Sequence, residues 1–144
     1  MHKPVAELAV ATRLMKEGWN VLVPYGENTR YDLVAERDGR FVRIQVKYVT
    51  PKEGVLKVNC RSSNNWSVLP YTAKEIDSSA IYDAIAETVY FVPVGGMRKS
   101  AMVLRLDPTK NHQKANVRFA REFCELHDGK GSYDTLSASL WAGT

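Results

Sequence analysis

The stretch Tyr31-Asp32-Leu33-Val34-Ala35-Glu36-Arg37-Asp38-Gly39-Arg40-Phe41-Val42-Arg43-Ile44-Gln45-Val46-Lys47 decides how this chain folds. Asp38-Gly39 stands between two runs in which apolar and polar residues alternate, the pattern of a hairpin closed by a two-residue type I′ turn. Arg37 then pairs with Arg40, Ala35 with Val42, Leu33 with Ile44 and Asp32 with Gln45. Side chains alternate across a strand, so Leu33, Ala35, Val42, Ile44, Val46 and Tyr48 share one face. Asp32, Gln45 and Lys47 share the other, where directly opposed Cβ atoms lie roughly 4.5–5.5 Å apart. A carboxylate, an amide oxygen and an ammonium are gathered into one small volume.

That set suits a hard cation and a phosphodiester. Mg²⁺ takes oxygen ligands, keeps several waters and needs few protein carboxylates beside substrate phosphates. Mn²⁺ accepts the same ligands. Asp32 supplies a carboxylate, Gln45 a neutral carbonyl oxygen and Val46 a backbone carbonyl. Lys47 is a compact ammonium suited to orienting an attacking water or meeting charge that grows on the phosphoryl group. Glu7, on an N-terminal helix, brings a second carboxylate toward the same place from outside the sheet. A blander reading stands beside this one. Polar-out alternation is the rule for a half-exposed hairpin, and a Glu in a first helical turn already favours the helix dipole.

Around the hairpin, Pro4 opens a helix with Val5, Leu8, Ala9, Thr12 and Met15 at helical spacing, ending at Gly18. Val21 to Pro24 reads as a short strand, Pro51 to Gly54 as a turn and Val55 to Cys60 as a strand. Arg61 to Pro70, polar around Trp66, reads as a surface loop, and Tyr71 to Glu75 as one helical turn. Ile76 to Tyr82, Thr88 to Val94 and Ala101 to Leu106 read as strands, with Gly95-Gly96 as a turn. Asp107-Pro108-Thr109 opens a second helix whose buried face is Ala115, Phe119, Ala120, Phe123 and Cys124. The outline is an α+β fold with an α/β-like core: a central mixed β-sheet flanked by helices. Residues 1–127 form one domain, and 128–144 a polar tail used in assembly or partly disordered.

At 144 residues the chain can bury a core without disulfides or structural metals. A formal charge of +4 admits a polyanionic partner. Most of it is local: between Met97 and Arg121, seven basic residues opposed only by Asp107 leave a net +6. Lys110, Lys114, Arg118 and Arg121 recur at helical spacing, a pattern equally typical of a solvated face. Cys60 and Cys124 lack metal-ligand spacing and read as reduced thiols, and three scattered histidines argue against zinc. No apolar run reaches the ~20 residues of a bilayer span, so a cytoplasmic protein without membrane contact is expected.

Asp32, a hairpin spacer and Gln45-Val46-Lys47 resemble the PD-(D/E)xK nuclease signature, in the form that carries Gln at the (D/E) position. That form resembles a branch of small intron-encoded homing endonucleases. Glu7 matches a helical glutamate of the superfamily, which also includes similar archaeal Holliday-junction resolvases. The likeness runs on through Tyr71, Asp77 and Tyr90 to Val94, and through Leu104 to Gln113, covering roughly residues 4 to 125. It departs in two places: Tyr31 replaces the usual Pro, and Gln45 removes one negative charge.

The resemblance implies a restriction-endonuclease-like fold and a Mg²⁺-dependent endonuclease acting on double-stranded DNA, with Mn²⁺ able to substitute. It implies Glu7, Asp32, Gln45 and Lys47 as catalytic residues, and Asp32, Gln45, Val46 and Glu7 around the metal. Arg61, Asn64, Asn65, Arg98, Lys99 and Lys110 are the candidate DNA contacts, being side chains suited to phosphates and base edges. A chain this size carries one active site, so cutting both strands implies a homodimer, and the homing branch suggests a homotetramer. The alternatives are a resolvase-like nuclease or a non-catalytic DNA-binding module on the same fold.

Overall fold

The computed structural model describes residues 2–63, 68–70, 72–107, 111 and 117–127. Helix α1 (His2–Lys16) leads to β1 (Asn20–Leu22), and β2 (Leu33–Arg37) and β3 (Arg40–Val49) form the expected hairpin. Asp38 and Gly39 both have positive φ, 54° and 75°, as a type I′ turn requires. The turn sets the register, with Arg37 opposite Arg40, Ala35 opposite Val42 and Leu33 opposite Ile44. The remaining strands are β4 (Val55–Asn59), β5 (Arg61–Ser63), β6 (Val68–Pro70), β7 (Ser78–Asp83), β8 (Thr88–Pro93) and β9 (Ala101–Arg105).

Five of these strands build one mixed sheet in the order β1-β2-β3-β7-β8, parallel between β3 and β7 and antiparallel elsewhere. One face carries Leu33, Ala35, Val42, Ile44, Val46, Ala80 and Phe91 and is covered by α1. The other carries Ile81, Tyr90 and Val92 and is covered by the β4–β9 ribbon, through Leu56, Val58, Met102 and Leu104, with Phe123 beside it. Each layer buries apolar surface that neither could hide alone.

Three expectations change. The buried face of α1 is Ala6, Val10 and Leu14, while Val5, Leu8 and Met15 point to solvent. Apolar residues stand nearly all around this helix, so periodicity could not set its phase; the small Ala6 lets it lie close on the sheet. Arg61 to Pro70 is no simple loop, because β5 and β6 pair antiparallel. The helix expected from Asp107 is replaced, over 117–127, by a parallel bridge of Phe119 to Arg105 and a 3-10 turn at Ala120–Phe123. Phe119, Ala120 and Phe123 are buried as expected, but Cys124 is exposed. Arg118 and Arg121 lie over the Phe123 and Phe119 rings, 5.4 and 4.3 Å from the centroids, and not along a helical stripe. Ala115, Lys110 and Lys114 lie outside the described residues.

The phase of α1 gives a direct test. Leu14→Ala should cost about 2–5 kcal/mol in urea unfolding. Leu8→Ala should stay within about 0.5 kcal/mol of the natural chain.

Candidate active site

Strand β3 has ten residues and β2 only five, so β3 runs on past its hairpin partner. Asp32 stands where the two strands part. Its amide donates to the Ile44 carbonyl at 2.8 Å, the last backbone bond on that side. At the next rung its side chain takes over, and Oδ2 accepts the Val46 amide at 2.8 Å. The N–H and C=O of one strand residue project to the same edge, so the Val46 carbonyl faces the Asp32 carboxylate across this gap.

Helix α1 approaches the gap from one face of the sheet. The His2 ring stacks on Tyr48 of β3 with centroids 4.7 Å apart, anchoring the helix start over the strand end. Lys3 Nζ lies 3.1 Å from Asp32 Oδ1. Glu7, one turn further on, has its carboxyl pushed up by burial and by the Asp32 charge, with Lys3 partly offsetting both. Asp32 therefore sits at the sheet's parting edge, within reach of α1, rather than only on the face that carries Gln45 and Lys47.

Gln45 and Lys47 enter from the opposite face. The blander polar-out reading leaves Gln45 on a solvent face, but it is 3% exposed, because the β4–β9 layer covers that face. Its Nε2 donates to the Val46 carbonyl at 3.4 Å. Lys47 is half-buried, and Nζ donates to the Arg61 carbonyl at 3.1 Å. Burial and the Lys3 charge lower the Lys47 ammonium below its ordinary range; Asp32 partly opposes this and Arg30 adds to it. Glu7, Asp32 and Lys47 thus share one electrostatic environment.

Among the expected DNA contacts, Arg61 is exposed at the start of β5, and its Nε donates to the Lys99 carbonyl at 3.2 Å. Arg98 and Lys99 are exposed as well, and the Lys99 carbonyl that accepts from Arg61 ties their segment to the start of β5. Asn64, Asn65 and Lys110 lie outside the described residues. Sequence reasoning missed Lys3 and Arg30. Lys3 left a signal, since a cation in a first helical turn opposes the helix dipole unless something compensates it. Arg30 left none: it reaches Glu75 at 2.7 Å, a partner 45 residues away.

No group of three or more His, Cys, Asp or Glu side chains stands together among the described residues. The donors are two carboxylates and two carbonyl oxygens, with the Lys3 ammonium already neutralising Asp32. Hard oxygen donors that already attract a positive charge fit a hard divalent cation and do not fit a sulfur- and imidazole-bound zinc.

The family model described as PD-(D/E)XK endonuclease matches residues 4–126, a span that contains the Asp32…Gln45-Val46-Lys47 motif. The chain belongs to the PD-(D/E)XK endonuclease family. No curated protein sequence matches it. Among solved structures, this endonuclease is similar to I-Ssp6803I, a bacterial homing endonuclease, with a TM-score of 0.67 and 25% identity over 98% of this chain and 94% of that one. It is also matched by the Holliday junction resolvase Hjc of the archaeon Archaeoglobus fulgidus, with a TM-score of 0.46 and 17% identity over 73% and 84% of the chains. Nucleases of this family generally use divalent metal ions.

The parallel β3–β7 seam that carries Gln45 and Lys47 is pinned by Arg43. Its Nε and Nη2 donate to Asp77 Oδ2 and Oδ1, both at 3.0 Å, and its backbone amide to Oδ2 at 2.8 Å. Its guanidinium also donates to the Lys74 and Ala73 carbonyls at 2.7 and 2.9 Å. Burial alone would raise the Asp77 carboxyl, but the Arg43 hydrogen bonds and charge outweigh it and hold it below the ordinary carboxylate range. A carboxyl depressed in the folded state adds stability above its unfolded pKa and loses it as pH falls through the folded value. Asp77→Asn should therefore melt below the natural protein near neutrality, and the gap in Tm should hold down to about pH 5 and then narrow as pH falls through the folded-state value. A gap independent of pH would contradict this.

Proposed function

We propose that this endonuclease is a Mg²⁺-dependent, homing-type enzyme that cuts double-stranded DNA at specific sites, with Mn²⁺ able to substitute. The observation that carries the reading is the Asp32 carboxylate held on the Val46 amide, facing the Val46 carbonyl and within the field of Glu7 and Lys47. Asp32, the Val46 carbonyl and Gln45 Oε1 would hold the cation, with Glu7 as an auxiliary ligand from α1. The bound ion supplies Lewis-acid polarisation of the phosphoryl oxygens and acidifies the attacking water.

The chain's own groups do the rest. Lys47 meets the negative charge that grows on the phosphoryl oxygens, and its half-burial strengthens that interaction by excluding water. Its lowered proton affinity also suits it to exchange a proton with the attacking water. Glu7, where it does not ligate the cation, orients that water from α1. Arg61, Arg98 and Lys99 grip the flanking phosphates, with Asn64, Asn65 and Lys110 as further DNA contacts on the chemistry of their side chains.

The similarity to I-Ssp6803I, almost end to end in both chains, favours the homing reading over a junction resolvase. One active site per chain means that cutting both strands takes at least a homodimer, and a homotetramer is consistent with a long target. Residues 1–127 are the nuclease domain, in keeping with a family match that ends at 126. Among the described residues no helix is long and apolar enough to cross a membrane. Cys60 and Cys124 are both free thiols, which supports a cytoplasmic location.

Nicking of supercoiled plasmid in Mg²⁺ or Mn²⁺ tests the reading. Asp32→Ala and Lys47→Ala should each slow nicking by on the order of 100-fold or more, and Gln45→Ala should behave alike. Gln45→Glu should retain cleavage. Equal nicking by the natural chain and all three alanine variants would overturn the assignment.

A further inference from the structure

Ser79 is fully buried, and its Oγ has no hydrogen-bond partner among the described residues. A buried, unmatched hydroxyl carries the whole cost of losing its water, so its presence calls for a reason. Ser79 shares its face of β7 with Ile81, on the side covered by the apolar β4–β9 layer. Its neighbour Ser78, on the other face, has its hydroxyl matched by the Val92 carbonyl at 3.2 Å.

Its position across the ladder suggests the reason. Strands β3 and β7 run parallel with Gln45 opposite Ser79, so the two side chains leave the sheet on one face. Neighbouring strands lie about 4.8 Å apart, within the span of a glutamine side chain. Gln45 is itself buried, and among the described residues its Nε2 makes a long 3.4 Å bond to the Val46 carbonyl. That bond occupies the carbonyl that would face a cation. A bound ion would need the Val46 oxygen released and the Gln45 oxygen turned toward it. The amide nitrogen then requires another acceptor inside the protein.

We propose that Ser79 is the positioning residue for Gln45, its hydroxyl accepting the amide N–H when Gln45 presents Oε1 to a divalent cation. The inference rests on the metal-binding reading given above. It also assigns the orphan hydroxyl a purpose, as an acceptor held ready for the Gln45 amide. Because a hydroxyl can donate as well as accept, Ser79 would equally support a carboxylate in place of Gln45.

Calcium titration by calorimetry, with the full chain and without DNA, reads the effect apart from cleavage. Ser79→Ala should weaken Ca²⁺ binding about five- to tenfold, the worth of one hydrogen bond. The same variant should melt at the natural temperature or up to roughly 4 °C above it, since it removes an unmatched buried hydroxyl. Weaker binding in an equally or more stable protein is the result that supports the proposal. A Kd within twofold of the natural chain, or a fall in Tm, overturns it. Asp32→Ala separates the two levels: Ca²⁺ binding lost there but unchanged in Ser79→Ala removes the Ser79 role alone. Calcium binding absent from the natural chain, or unchanged in Asp32→Ala, removes the metal site and the Ser79 role together.

Discussion

The arrangement depends on one hydrogen bond made where two strands separate: the Val46 amide to the Asp32 carboxylate, 2.8 Å long. A backbone amide in a strand normally finds a carbonyl on the next strand. Here β2 has ended, and a charged side chain satisfies the donor instead. That exchange sets a carboxylate beside a strand edge whose next carbonyl points the same way. It also depends wholly on register, because a slip of one residue would turn every side chain of β3 to the opposite face. The Asp38-Gly39 turn at one end and the Arg43–Asp77 clamp on the neighbouring seam hold that register from two sides.

The electrostatics follow from the same geometry. Two carboxylates from different elements, Asp32 and Glu7, are brought close enough for one charge to raise the other's proton affinity. Lys3 answers from the helix, and Lys47 and Arg30 bring positive charge to the far side. The result is a small volume of opposed charges at the boundary of two apolar layers, where fields are screened less than in open water. Such a place suits the handling of a phosphodiester, whose transition state concentrates negative charge.

Much of this was readable in the sequence because it is local. The Asp38-Gly39 pair encodes a turn of two residues, and the alternation on either side encodes which residues face inward. Gln45 and Lys47 therefore fall on β3 as the alternation predicts, while Asp32 stands just before β2 begins. What could not be read is what arrives from far away. Polar-out alternation alone would leave Gln45 on a solvent face, but the β4–β9 ribbon that covers that face pairs residues more than 40 positions apart. The face of α1 was misjudged for a related reason, since a helix with apolar residues on most sides takes its phase from the sheet it meets. Lys3, Arg30, Asp77 and Ser79 join the site or its support only through tertiary contacts.

The central claim is that Asp32 and the end of β3 form a divalent-cation site, and a crystal of the full chain soaked in Mn²⁺ tests it most directly. The anomalous difference map should place its strongest peak within bonding distance of the Asp32 carboxylate and the Val46 carbonyl, with the Lys3 ammonium moved aside. A map with no peak at that gap, or with Mn²⁺ bound elsewhere and Lys3 still on Asp32, would contradict it.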